Sequence, residues 1–200
     1  MSFSLYLSIF TFLLIAAVTP GPNNILLTTT AANFGLVRAL IPMLGIMLGM
    51  QVLLVLVASG VGSLIILHPN IHLALKIMGS IYLAWLAWKL GSARFEPLDT
   101  TTAPAKPVKF YQGALLQFLN PKAWLMALGS ISSFSLVGAL YLPSVIAISL
   151  IMIGVNLIAS AVWLGFGSLI GQFLSSPTSW RIFNVTMGVL TAACVPLVWW

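Results

Sequence analysis

Acidic residues are almost missing from this chain: Asp and Glu together number 2 in 200 residues. All charged residues make up 5% of the sequence, against about 25% in an ordinary soluble domain. With 60% hydrophobic residues and a mean hydropathy of +1.12, there is too little charge to cover a water-facing surface. A soluble enzyme is excluded on that ground. Cysteine is also scarce. The single Cys194 lies in an apolar run, cannot form an internal disulfide, and reads as an inert buried thiol. Neither acid falls within an apolar segment, which removes the carboxylate that a metal exporter or an intramembrane proton relay normally needs. No Ser/His/Asp set, paired-histidine haem arrangement or phosphate-binding glycine loop occurs, so no catalytic residues are expected and an intramembrane enzyme is poorly supported. His68 and His72 flank Pro69 without a nearby Cys or acid, so no metal or other cofactor is expected.

What the sequence does have is long apolar runs. Each membrane span takes roughly 20 apolar residues, so six spans with short connections fill nearly the whole chain. The runs extend from about Phe3 to Leu27, Ala39 to Leu67, Ile71 to Leu90, Phe110 to Phe134, Leu142 to Leu174 and Trp180 to Trp200. They are longer and more evenly apolar than the alternating strands of a barrel, and backbone groups in lipid must pair within the segment, so each closes as a helix. His68-Pro69-Asn70 reads as a turn. The first run lacks a basic leader and is followed by Pro-Gly-Pro, so it reads as a retained helix rather than a signal peptide. The expected organisation is one all-α transmembrane domain of six helices. A first three-helix unit (1–91) and a second (110–200) are joined by a polar loop (92–109) that holds both acids, Glu96 and Asp99.

The net charge is +6, without any dense basic cluster interleaved with aromatics, so no nucleic-acid partner is expected. Basic residues instead mark cytoplasmic loops. With the N-terminus outside, Arg38, Lys89, Arg94, Lys106, Lys109 and Arg181 all fall on the cytoplasmic side and Lys76 alone falls outside. Both termini are therefore expected outside, with the polar loop inside. Aromatic residues at Tyr82, Trp85, Trp88, Trp199 and Trp200 read as interface anchors.

The two halves resemble each other. Gly49-Met50-Gln51 matches Gly154-Val155-Asn156, and at the same offset Gly62-Ser63-Leu64-Ile65 matches Gly167-Ser168-Leu169-Ile170. Three helices per half is an odd number, so the second half must be inverted relative to the first. Inverted repeats are a transporter architecture with the site at the repeat interface. The breaks match too: Thr19-Pro20-Gly21-Pro22-Asn23-Asn24 interrupts the first helix and Asn120-Pro121-Lys122 the fourth. Proline within a span frees backbone groups, which is tolerated where they line a polar cavity; the alternative is a packing kink. Asn120 suits an N-cap and Pro121 the first helical position, so a helix begins inside the membrane. Its partial positive charge and that of Lys122 invite an anion such as a substrate carboxylate. Alternatively Lys122 snorkels to an interface or caps carbonyls of a neighbouring helix. Asn23 and Asn24 either bind substrate or cap the broken backbone. Gln51 and Asn156 are secondary candidates, with interhelical hydrogen bonding as the other reading. Gly45/Gly49 and Gly167/Gly171 allow close helix contact, either between the halves or between subunits of a homo-oligomer.

The run Thr19-Pro20-Gly21-Pro22-Asn23-Asn24-Ile25-Leu26 resembles the signature of the LysE/RhtB amino-acid exporters, as do the chain length, the polar loop and the Asn120-Pro121-Lys122 break. The Pro-Gly-Pro-Asn-Asn run and the stretch from Tyr82 to Lys89 look most like the branch that exports cysteine and O-acetylserine. The resemblance spans essentially the whole chain. It implies secondary export of small amino acids across the cytoplasmic membrane, driven by an ion gradient, with proton antiport by analogy and no ATP site. It carries over as substrate-binding residues Pro20, Gly21, Pro22, Asn23, Asn24, Asn120, Pro121 and Lys122. Without an intramembrane acid to pair a basic side chain, a neutral substrate is expected: cysteine, O-acetylserine, homoserine or threonine. The alternative is a non-transporting membrane assembly or anchor protein that uses its small-residue faces to hold a partner.

Overall fold

The computed structural model describes residues 2–60, 69–92, 107–174, 176–196 and 199, and every regular element among them is helical. The first run forms α1 (Phe3–Val18), breaks over Thr19 to Gly21, and resumes as α2 (Pro22–Phe34), bent by 56° from α1. This second part is longer than expected, because the Thr28-Thr29-Thr30 run does not end it. Thr29 and Thr30 donate to the carbonyls of Ile25 and Leu26 one turn back (2.8 and 2.7 Å), so their polar atoms are satisfied inside the helix and all three threonines are buried. Gly35 then turns the chain straight into α3 (Leu36–Ala58) at φ +82°, a left-handed conformation that favours glycine.

The helix α4 (Pro69–Gly91) takes in Pro69 and Asn70. The turn expected at His68-Pro69-Asn70 is therefore helical from Pro69 onward, where a missing N–H costs nothing; His68 lies outside the described residues. So does most of the expected loop at 92–109, including both acids. The fourth run is broken as expected, into α5 (Phe110–Leu119) and α6 (Pro121–Phe134) with Asn120 between them. A short 3-10 turn (Gly138–Leu140) leads into α7 (Tyr141–Phe173), and α8 (Pro177–Ala192) starts from a Ser176 cap. Among the described residues, α3 and the stretch Gly138–Phe173 are each long and apolar enough to cross a membrane, and the bent α1–α2 pair meets the same criterion when its two helices are taken together.

Outward faces carry large exposed apolar side chains, for example Leu44, Leu48, Val52 and Val55 on α3 and Leu150, Leu157 and Leu169 on α7. Water would not tolerate that surface; lipid does. Between helices, lipid gives no hydrophobic drive, so close backbone approach matters more. A Cβ on Gly45 would sit 2.0 Å from the Phe110 carbonyl oxygen, and one on Gly49 2.5 Å from that of Ala114, so α3 lies directly on α5. Likewise a Cβ on Gly167 would meet the Thr28 carbonyl at 2.3 Å, and one on Gly171 that of Ala32 at 2.8 Å, so α7 lies on α2. Both small-residue faces thus join the first half to the second within one chain. The subunit contact that the sequence left open does not have these faces to use. Cys194 is buried and its Sγ donates to the Leu190 carbonyl, in line with an inert thiol.

Candidate functional site

Two buried apolar clusters fill the helix bundle. One gathers Leu26, Leu83, Leu86 and Leu116, the other Leu13, Leu53, Met126 and Met152. Between them, where the broken α1–α2 and α5–α6 segments meet, lies a small cavity of about 30 Å³. That is room for water rather than for an amino acid. Gly21, Asn23, Asn24, Asn120, Lys122 and Asn156 line it, with Met50, Met126 and Ser160. Six of the residues proposed from sequence therefore converge. Pro20, Pro22 and Pro121 do not line it: the latter two open α2 and α6 at their first helical positions, and Pro20 lies in the bend. All three sit at the breaks themselves. Gln51 also lies apart and accepts from Ser149 Oγ (2.6 Å), the interhelical bond that was its other reading.

The asparagines divide by role. Asn24 is buried, and its Nδ2 donates to the carbonyls of Ala17 (2.9 Å) and Thr19 (2.8 Å). It caps the broken end of α1. Asn23 Nδ2 donates to Gln117 Oε1 (2.8 Å), while its Oδ1 accepts from Gln117 Nε2 (3.0 Å) and Asn120 Nδ2 (3.4 Å). Gln117 is fully buried and also donates to the Gly113 carbonyl (2.9 Å). It is the residue that the sequence reading missed. The available signal was a glutamine one turn before Asn120, within the apolar stretch Leu115 to Leu119.

Asn120 caps α6 as expected, its Oδ1 accepting from the Lys122 backbone N–H (3.1 Å), and its carbonyl accepts from Ala123 (3.0 Å) and Trp124 (3.3 Å). In the first turn of α6 the N–H groups of Lys122, Ala123 and Trp124 are therefore all bonded to Asn120. The first turn of α2 differs. Gly21 has no side chain to cap it, Pro22 has no donor, and the backbone N–H groups of Asn23 and Asn24 have no partner among the described residues. The helix end with free donors at this cavity is thus α2.

Lys122 turns across the bend. Its Nζ donates to the carbonyl of Thr19 and to that of Pro20 (3.4 Å). The ammonium thus rests on the negative end of α1, the capping arrangement that was its alternative reading. It packs so closely on Gly21 that a Cβ there would lie 3.0 Å from Lys122 Cδ and 3.2 Å from Nζ. Lys122 is therefore held between the carbonyl end of α1 and the free amide end of α2. Among the described residues no cluster of His, Cys, Asp or Glu suited to a metal occurs.

The profile of the LysE type translocator family matches residues 14–194, which takes in both breaks and all of these lining residues. The chain belongs to that family. It is a multi-pass membrane transporter and not an enzyme. Over 184 residues, covering 92% of both chains, it is 32% identical to the cysteine/O-acetylserine efflux proteins of Salmonella choleraesuis (strain SC-B67) and Salmonella typhimurium (strain LT2). It is 29% identical over the same share to the protein of that name in Escherichia coli (strain K12). No solved structure matches the chain.

Proposed function

We propose that this LysE type translocator exports small neutral amino acids or their derivatives, such as cysteine, O-acetylserine, homoserine or threonine, across the cytoplasmic membrane. The observation that carries the reading is that Lys122 and the unpartnered backbone N–H groups of Asn23 and Asn24 share one cavity between two broken helices. A substrate carboxylate fits between those positive groups. Asn23, Asn24 and Asn120, tied to Gln117, hold the polar wall in place. The names of the relatives support the substrate class, and the lack of an acid in any span favours a neutral side chain.

Transport is secondary and runs by alternating access, with protons as the coupling ion by analogy with the family. No ATP site or cofactor is needed. The two halves act as inverted three-helix repeats, each with a broken leading helix, that rock against one another about the cavity. The packing of α4 on α8, the third member of each half, in opposite directions supports this: Gly91 at the end of α4 lies against Gly188 in α8, while Trp199, beyond the end of α8, donates through Nε1 to Ser80 Oγ earlier in α4 (2.9 Å). Because the cavity is too small for substrate in this conformation, loading requires the halves to separate there. Both termini face outward. Counterflow of labelled amino acids into proteoliposomes preloaded with the unlabelled compound tests the reading. Exchange of O-acetyl-L-serine or L-cysteine supports it, and no exchange of any neutral amino acid refutes it.

A further inference from the structure

The cavity has a second wall that the carboxylate does not use. On α7, Asn156 and Ser160 lie one turn apart and both line the cavity. The Nδ2 atom of Asn156 is buried and has no hydrogen-bond partner. Ser160 is 5% exposed, and no hydrogen bond of its hydroxyl occurs among the described residues. Other buried helical hydroxyls in this chain behave differently: those of Thr29, Thr30, Ser130 and Thr191 each donate to a carbonyl one turn back. The equivalent partner for Ser160 is the carbonyl of Asn156, and no bond from the Ser160 hydroxyl to it occurs. Buried polar groups in folded proteins are nearly always paired, so the orphaned Asn156 amide, with the Ser160 hydroxyl one turn away on the same cavity wall, marks a surface that pairs with something else.

We infer that Asn156 and Ser160 form the side-chain subsite, which selects amino acids whose short side chain carries a hydrogen-bond acceptor, such as an ester carbonyl or a hydroxyl. This rests on the exporter reading above, since Lys122 and the α2 amides take the carboxylate end. The free group on Asn156 is a donor, so the complementary substrate atom is an acceptor. Ser160 serves as a second donor or, towards a hydroxyl, as an acceptor. Met50, Met126 and Ala159 beside them supply an apolar lining that fits the rest of a short side chain. The pairing also separates the two repeat-matched amides, because Gln51 is already bonded to Ser149.

The test is competition in reconstituted proteoliposomes between O-acetyl-L-serine and L-norleucine, which has a similar unbranched length but no acceptor. Wild-type protein is expected to prefer O-acetylserine by about tenfold or more, the scale set by leaving a buried donor unpaired when the analogue lacks an acceptor. In Asn156→Leu the preference should collapse towards unity while norleucine exchange persists, and in Ser160→Ala it should fall by roughly threefold, as for the loss of one modest hydrogen bond. If wild type shows no preference, or if both variants keep it, the subsite assignment is overturned while the exporter reading stands. If Asn156→Leu yields no active protein, Ser160→Ala decides alone, and an unchanged preference overturns the assignment. If wild type exchanges neither compound nor any other amino acid, the exporter reading falls and the subsite with it.

Discussion

Lys122, in the first turn of α6, donates through Nζ to the carbonyl of Thr19 at the broken end of α1. One side chain therefore ties the two interrupted segments together, from opposite halves of the chain. The same ammonium lies against Gly21, where α2 begins with unpaired amides. A carboxylate arriving there would compete with the Thr19 carbonyl for Lys122, so binding and release of the α1 end are physically linked.

Gly21 makes room for that lysine. Its φ of −178° is extended backbone open to any residue, so substitution costs no backbone strain. A side chain there instead displaces the flexible end of Lys122, which lies 3.0 Å from the Cβ position. Gly21→Val is expected to reach the membrane at normal levels and to cut exchange about tenfold or more, as misplacement of a binding group does. Membrane immunoblots beside counterflow rates check this, and normal exchange would detach Gly21 and Lys122 from the site.

The glycines at the interface between halves should behave otherwise. At Gly45 the obstacle is the backbone of Phe110, 2.0 Å from a Cβ, and backbone cannot step aside cheaply. Gly45→Ala should destabilise the protein in detergent by about 1–3 kcal/mol or more, the usual cost of overpacking. Gly154 has nothing within 4 Å of its Cβ position. Gly154→Ala should be neutral or slightly stabilising, by up to about 1 kcal/mol from helix propensity. Thermal unfolding followed by fluorescence distinguishes the pair.

The reciprocal amide bonds between Asn23 and Gln117 join α2 to α5. A double-mutant cycle with Asn23→Leu and Gln117→Leu should return a coupling of about 0.6–1.7 kcal/mol, the range seen for interhelical hydrogen bonds in membranes. Zero coupling in detergent unfolding would make the network incidental.

The sequence made the breaks legible because proline and its neighbours act locally: Pro22 and Pro121 open helices wherever the rest of the chain lies. Asn120 as a cap follows from the same local rule. What Asn23, Asn24, Gln51 and Asn156 do was not legible, since each amide can cap, bridge or bind, and the choice depends on which helix faces it. Gln117 escaped notice because its partner is 94 residues away. The partners of Gly45 and Gly167 were hidden for the same reason: a small residue announces a close approach but not what approaches. The length of α2 was misjudged because threonines look polar until their hydroxyls turn back onto the helix.

Orientation follows from the placement of the basic residues. A periplasm-active phosphatase fused after Trp200 is expected to be active and a cytoplasm-dependent reporter silent. The reverse pattern would invert the membrane placement of every loop.

The central claim is that Lys122 serves the substrate and does more than hold the bend. Counterflow of labelled O-acetyl-L-serine should be measured in proteoliposomes carrying equal amounts of wild type, Lys122→Met and Lys76→Met. Lys76 lies over the Trp199 ring, 5.9 Å from its centre and away from the cavity, and serves as the lysine control. The account predicts exchange by wild type and Lys76→Met, with Lys122→Met at the level of empty liposomes. Exchange by Lys122→Met at the wild-type rate would contradict it.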